Sequence, residues 1–422
     1  MSHYISSTKK YLLASLVVVI VASSSVLLIA QQTVLATSEA MHNTTTTTLT
    51  DIEADGTTSF NDLTRSYAKQ IMADCRDDTH CPVLALDKLN KTESPQIVLG
   101  TFSDLVLLYD ERYRDCHDTA HHLGMWLYNY KTNLKEALSY VKPLLCGGAV
   151  LHGIFQGYFM TGHIQNVDNN QIRITHLCNI SQENGNWIYE RDCIHGIGHG
   201  LAELYDHNTV AAADRCKEFE PEWAQSACSR GVFMQNMIRY LETRGGDFDK
   251  NNIFFPCDRT VEKFAPQCYY YHAQYLLERN GNDITATFAQ CDNIVPTEFA
   301  KYCYQGIGRV LYSNVFTNAE QAIAYCYLGN QSSYQDDCLI GMLRTVLKAD
   351  VKADIGFQFC SHSGPDFKAE CYEIVGMWIK MVYPNQGELE RECFKAQDID
   401  FIINCINANP ETSIHVAVFE PI

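Results

Sequence analysis

Residues 303–338 read CYQGIGRVLYSNVFTNAEQAIAYCYLGNQSSYQDDC, and the fold is decided here. After Cys303 the apolar residues Ile307, Val310, Leu311 and Val315 recur at three- and four-residue steps, which traces one face of a helix. Asn318 then offers a side-chain oxygen to cap a second helix, whose inner side carries Ala319, Ala322, Ile323 and Cys326. The pattern restarts after Cys338 with Met342, Leu343, Val346 and Leu347, and after Cys371 with Ile374, Val375 and Trp378. No alternating strand pattern of comparable length occurs. The expectation is an all-α fold.

Working outward, the cysteines show a period. From Cys178 they fall in couples: Cys178/Cys193, Cys216/Cys228, Cys257/Cys268, Cys291/Cys303, Cys326/Cys338, Cys360/Cys371 and Cys393/Cys405. The second members advance by 35, 40, 35, 35, 33 and 34 residues, a spacing suited to stacked helix–turn–helix units, an α-solenoid with a period of about 34 residues. Upstream stand Cys75, Cys81, Cys116 and Cys146. Pairing in chain order is preferred, because each couple joins the end of one helix to the start of its antiparallel neighbour. A bridge such as Cys303–Cys326, across the two helices of one hairpin, is the alternative that spacing leaves open. Closing a loop of this size contributes about 3 kcal/mol in the chain-entropy model, so a fully stapled array is expected to be a rigid rod. No C-x-x-C occurs, which removes thioredoxin-like, zinc-ribbon and c-type haem chemistry.

Over residues 178–410 this organisation resembles tetratricopeptide and Sel1-like helical-hairpin repeats, in particular their cysteine-rich exported versions. The Trp/Leu/Gly/Tyr pattern of tetratricopeptides is absent. The resemblance implies a concave groove that binds a protein or peptide, hence an envelope protein as partner.

Length and charge bound the rest. The chain has 422 residues and a formal net charge of -18, which repels phosphate backbones and excludes nucleic acid as an expected partner. Eighteen cysteines at regular spacing point to an oxidising, extracytoplasmic compartment. Lys9 and Lys10 precede an uncharged run from Tyr11 to Ala30, long enough for a membrane anchor, while Val34-Leu35-Ala36 fits a signal-peptidase site. Residues 1–36 are therefore read as a signal peptide or an N-terminal anchor, which would tie the protein to the membrane if uncleaved. Residues 37–60 are read as a Thr-rich stalk, 61–200 as His-rich helical units and 201–422 as cysteine-paired repeats.

Chemistry concentrates in the His-rich part. Counting from Cys116, Cys146 and Cys193, the sixth residue on is His122, His152 and His199, so stacked helices would present three imidazoles toward one point. His117/His121 and His195/His199 are each four apart, one helical turn, a spacing that lets two imidazoles reach one metal ion. The expected ligand set is His117, His121, His122, His152, His195 and His199, with Asp118 and Glu203 as carboxylates able to ligate or to orient a ligand. Later units carry Met234, Gln274, Arg309, Arg344 and Met377 at the sixth position, so the cluster belongs to the N-terminal units. Imidazoles without thiolate select zinc, copper, nickel or iron; outside the cytoplasm copper or zinc leads, one or two ions per chain. Gly147, Gly148, Gly153, Gly157, Gly196, Gly198 and Gly200 predict crowded helices around the cluster. The uncharged stretch 143–167 is read as a buried central helix. The competing expectation is a cell-envelope interaction scaffold whose histidines only fix helix packing. No G-x-S-x-G, P-loop or G-x-G-x-x-G occurs, and no reaction is assigned.

Overall fold

The computed structural model of the chain describes residues 60–75, 81–108, 116–141, 145–161, 174–178, 187–206, 208–349, 353–382 and 385–408. The segments 1–36 and 37–59 lie outside the described residues, and with them the expected signal or anchor and nearly all of the stalk. Among the described residues there are eighteen α-helices and no strand. In order they are α1 (Phe60–Cys75), α2 (Cys81–Leu89), α3 (Pro95–Leu108), α4 (His117–Lys131), α5 (Leu134–Leu138), α6 (Ala149–Met160), α7 (Trp187–Leu204), α8 (Thr209–Arg215) and α9 (Glu222–Thr243). There follow α10 (Ala265–Arg279), α11 (Ile284–Cys291), α12 (Ala300–Leu311), α13 (Ala319–Cys326), α14 (Ser332–Ala349), α15 (Asp354–His362), α16 (Pro365–Val382), α17 (Gln386–Cys393) and α18 (Ile399–Asn407).

Long and short helices divide the labour. The long helices α4, α6, α7, α9, α10, α12, α14, α16 and α18 pack each against the next and form a continuous inner row. Short helices such as α8, α11, α13 and α17 return the chain between them, and their starts are written locally. Asn208, Asp283, Asn318 and Asn385 accept hydrogen bonds from the backbone N–H groups of Ala211, Ala286, Gln321 and Gly387, which satisfies first-turn donors. Asn318 is the cap that the sequence anticipates.

The disulfides follow chain order throughout: Cys75–Cys81, Cys116–Cys146, Cys178–Cys193, Cys216–Cys228, Cys257–Cys268, Cys291–Cys303, Cys326–Cys338, Cys360–Cys371 and Cys393–Cys405. The alternative bridge Cys303–Cys326 does not form. In the regular part a cysteine closing a short helix is tied to the first turns of the next long one, as Cys326 at the end of α13 is tied to Cys338 in α14.

Two features depart from a straight rod. The inner helices meet backbone to backbone at facing glycines: Gly124 with Gly153, Gly198 with Gly231, and Gly308 with Gly341. A Cβ on Gly198 would run into the carbonyl oxygen of Cys228, and one on Gly308 into that of Cys338. The row also curls until α14 packs against the turn Leu145–Gly148, on the far side of the array in sequence. Seven inner helices, α4 through α14, thereby surround one cavity of about 610 Å³, to which each contributes lining residues. Within the uncharged stretch 143–167, the residues from Ala149 to Gly157 are buried as expected, Met160 and Thr161 are exposed, and 143–144 and 162–167 lie outside the described residues. Among the described residues no helix is long and apolar enough to cross a membrane.

If facing glycines set the helix spacing, Gly308→Ala overpacks α12 against α14 and lowers stability by about 2–3 kcal/mol. Gly387→Ala, whose Cβ would meet nothing closer than 3.4 Å, changes it by less than about 0.5 kcal/mol. Urea unfolding with the disulfides intact compares the two; equal midpoints would remove the glycine contact as a constraint.

Candidate metal centre

Five histidines from three consecutive inner helices converge at one end of the cavity. His117 and His121 come from α4, His152 from α6, and His195 and His199 from α7. Neighbouring ring centroids are 4.6–5.4 Å apart, from His121–His199 and His152–His195 at the short end to His117–His152 at the long end. Four of the rings are buried, and His117 is partly so.

Hydrogen bonds settle which ring nitrogen carries the proton. His117 Nδ1 lies 3.0 Å from the carbonyl oxygen of Cys146, and His195 Nδ1 lies 3.2 Å from that of Ala227. A carbonyl only accepts, so each Nδ1 bears hydrogen. His199 Nδ1 is 2.7 Å from Gln235 Oε1, and His121 Nδ1 is 3.4 Å from Gln156 Oε1. Both glutamine amides donate to the same carboxylate oxygen, Glu203 Oε1, at 2.7 Å from Gln235 and 3.3 Å from Gln156. That shared acceptor orients the amides and leaves their oxygens facing the imidazoles. Four imidazoles are thus held with Nδ1–H outward and an Nε2 lone pair inward.

Those lone pairs face each other. His117 Nε2 and His121 Nε2 are 3.2 Å apart, as are His195 Nε2 and His199 Nε2. With Nδ1 protonated, no hydrogen lies between two neutral rings, and the contact is repulsive. A proton shared within a pair would relieve it, but only by charging a buried imidazole. Burial opposes that charge: desolvation, then neighbouring histidines, hold His121 and His152 well below the ordinary histidine range, and desolvation lowers His199 to about 3. His195 is lowered by burial, by His199 and by Arg230. What fits is a cation other than a proton, since nitrogens bound at about 2.05 Å with tetrahedral angles lie about 3.3 Å apart. His152 stands between the pairs, buried, with no hydrogen-bond partner at either ring nitrogen. His117, His121 and His152 form one triad that could hold a metal ion, and His152, His195 and His199 form another.

The structure separates His122 from this group. It is exposed, as is Asp118 at the cavity rim, so neither side chain joins the cluster. The cause is register. Cys193 and Cys303 each precede their contact glycines, Gly198 and Gly308, by five residues, whereas Cys116 precedes Gly124 by eight. Counted from the glycine, His121 rather than His122 is the partner of His195. Glu203 does sit behind the cluster, at one remove through glutamines. Gln156 and Gln235 were not among the expected site residues; Gln156, one turn after His152 in an otherwise uncharged helix, was the signal for the first.

No protein-family model, curated protein or solved structure matches the chain.

In the metal-free protein, neutral burial of these imidazoles couples stability to acid. His199 takes up a proton near pH 3 in the fold but near 6.5 in an unfolded chain, so the unfolded state binds more protons between those values. Stability is complete above about pH 6.5 and falls as pH drops toward 3. Buried His272, lowered to about 4 chiefly by desolvation, adds to the fall. Urea unfolding of chelator-treated protein from pH 7 to pH 4 should show this slope, and His199→Gln should make it shallower. An unchanged slope would mean that His199 is not buried neutral.

Proposed function

We propose that this is an extracytoplasmic metalloprotein that holds a pair of transition-metal ions, copper or zinc, in two histidine triads sharing His152. The observation that carries the reading is the pair of 3.2 Å contacts between inward-facing, unprotonated Nε2 atoms, beside a buried imidazole with both nitrogens unpartnered. Purely structural histidines would offer each lone pair a donor. The donor set, all imidazole with every described cysteine in a disulfide, suits copper and zinc and disfavours ions that seek thiolate or carboxylate. The nine disulfides support an oxidising compartment.

A role beyond storage is favoured by the cavity. His117, His152 and His195 line it, so ions at these triads would face a space large enough for a small molecule. A bound ion with an open position supplies Lewis acidity or activates water there. The protein's own part is to keep the imidazoles neutral, aim Nε2 inward and fix the rings through Gln156, Gln235 and Glu203.

Elemental analysis of untagged, oxidised protein is expected to give two equivalents of a single transition metal, and His152→Ala is expected to lose at least one. Gln235→Leu, which removes the acceptor for His199 Nδ1–H, should weaken metal affinity by roughly 10–100-fold while leaving the ligands in place. Protein that is metal-free as isolated and takes up neither copper nor zinc would defeat the proposal and leave the scaffold reading.

A further inference from the structure

The cavity that the histidines line also carries a basic wall. Arg230 of α9, Arg309 of α12 and Lys348 of α14 line it, and Arg344, one turn before Lys348, stands behind Tyr270. Three guanidinium groups gather round the Tyr270 ring, at 5.1 Å for Arg230, 5.6 Å for Arg309 and 5.8 Å for Arg344. In a chain of net charge -18 this is a local inversion of sign.

These groups share one buried counter-charge, Asp192, which acts on both Arg230 and Lys348, and burial with the neighbouring arginines holds Lys348 well below the ordinary lysine range. Only two carboxylates are among the described lining residues: Asp118, exposed at the rim, and Asp192, which is bonded at 2.6 Å to Arg191. Arg344 is 1 % exposed, and none of its three guanidinium nitrogens has a hydrogen-bond partner. Arg309 Nε is likewise unpartnered, with one contact from Nη2 to Gln274 at 2.9 Å. Arg230 makes one long hydrogen bond, to the Tyr271 hydroxyl at 3.4 Å. Holding such groups inside a protein is costly when one carboxylate serves several of them. Burial, then repulsion from Arg230, brings Arg344 down to about 9.

We infer that the cavity binds a small phosphorylated molecule, its phosphoryl group held by Arg230, Arg309 and Lys348 with the charge of Arg344 behind them, and its less polar part resting on Met234, Leu241 and Phe316. The preference for phosphoryl over carboxylate follows from number and shape. Three guanidinium groups arriving from three helices, with the Lys348 amine beside them, call for more than one negative charge. A tetrahedral group with three free oxygens can accept from several guanidinium forks at once, where a carboxylate has two oxygens in one plane. The inner stripe carries His199 at the sixth position after its cysteine and Arg309 and Arg344 at the same position of later units, so a single curl of the solenoid sets imidazoles on one wall and guanidiniums on another. That the phosphorylated molecule is what the metal ions act on rests on the metal reading; that the pocket holds it does not.

Calorimetric titration of inorganic phosphate into chelator-treated, metal-free full-length protein tests the site. Phosphate is expected to bind, succinate at equal ionic strength to bind at least tenfold more weakly, and Arg344→Met and Arg230→Met each to weaken phosphate at least tenfold. Arg239→Met, outside the cavity, should leave binding unchanged. Arg344→Met should also raise the urea midpoint, because it removes an uncompensated buried charge, whereas a residue kept for structure would lower it. If Arg344→Met does not fold, Arg309→Met carries the same binding expectation from the half-buried wall. Absence of phosphate binding, equal binding of succinate, or unchanged binding in the arginine variants would overturn the proposal. Metal analysis of the same samples separates the two readings: phosphate binding without metal uptake defeats only the metal centre, and metal uptake without phosphate binding defeats only this pocket.

Discussion

Two helices can touch backbone to backbone only where neither presents a side chain, and this molecule depends on that contact. Gly198 against Gly231, and Gly308 against Gly341, let a helix seat directly on the carbonyls of its neighbour. A contact so short leaves little freedom in rotation or slide, so it fixes which residues of each long helix face inward. The short helices and disulfides then hold each pair at one end, and the repeated small rotation closes the row on itself at α14 and the turn Leu145–Gly148. A cavity lined by seven helices is the outcome, with His117, His152, His195, Arg230, Arg309 and Lys348 at its surface.

Around that cavity the electrostatics are divided. One wall is built from imidazoles kept neutral by burial, with protons parked on Nδ1 by two carbonyls and two glutamines. The other is built from guanidinium groups that stay charged although they are buried, with a tyrosine ring in place of a carboxylate. Both arrangements are unfavourable as they stand, the first through facing lone pairs and the second through charge that exceeds its counter-charge. Interior strain of this kind persists where function requires it and the surrounding scaffold is rigid enough to bear it.

Much of this was legible in the sequence, for identifiable reasons. Helical periodicity after Cys303, the Asn318 cap and the cysteine couples are local signals, and local signals survive into the fold. The i,i+4 histidine couples were legible for the same reason, since a helix alone brings His195 and His199 together. The sequence misleads where one unit has to be compared with another. Cysteine spacing was a faithful ruler in the regular repeats but ran three residues out in the first, and His122 was carried into the site on that ruler while His121 was the true counterpart of His195. The curl that brings Lys348 within the influence of His195 has no local signature. Arg309 and Arg344 stand at the sixth position of their units, and only the closed array gives that position its meaning, by bringing both to the Tyr270 ring beside the cavity that the histidines line.

The disulfide order has a consequence for how the molecule is made. Every described cysteine is joined to the next described cysteine in the chain, with sequence separations from 6 to 30 residues. During vectorial synthesis or export the correct partner is therefore always the next thiol to arrive, and bonding on emergence would yield the native set without any sorting among pairings. Assembly can run from the N-terminus like a zip, each closed unit offering a finished surface to the one behind it. The cavity is different in kind, since its groups span His117 to Lys348 and meet only when the curl is complete. Covalent stapling is thus early and local, and the cavity is the last part of the molecule to exist.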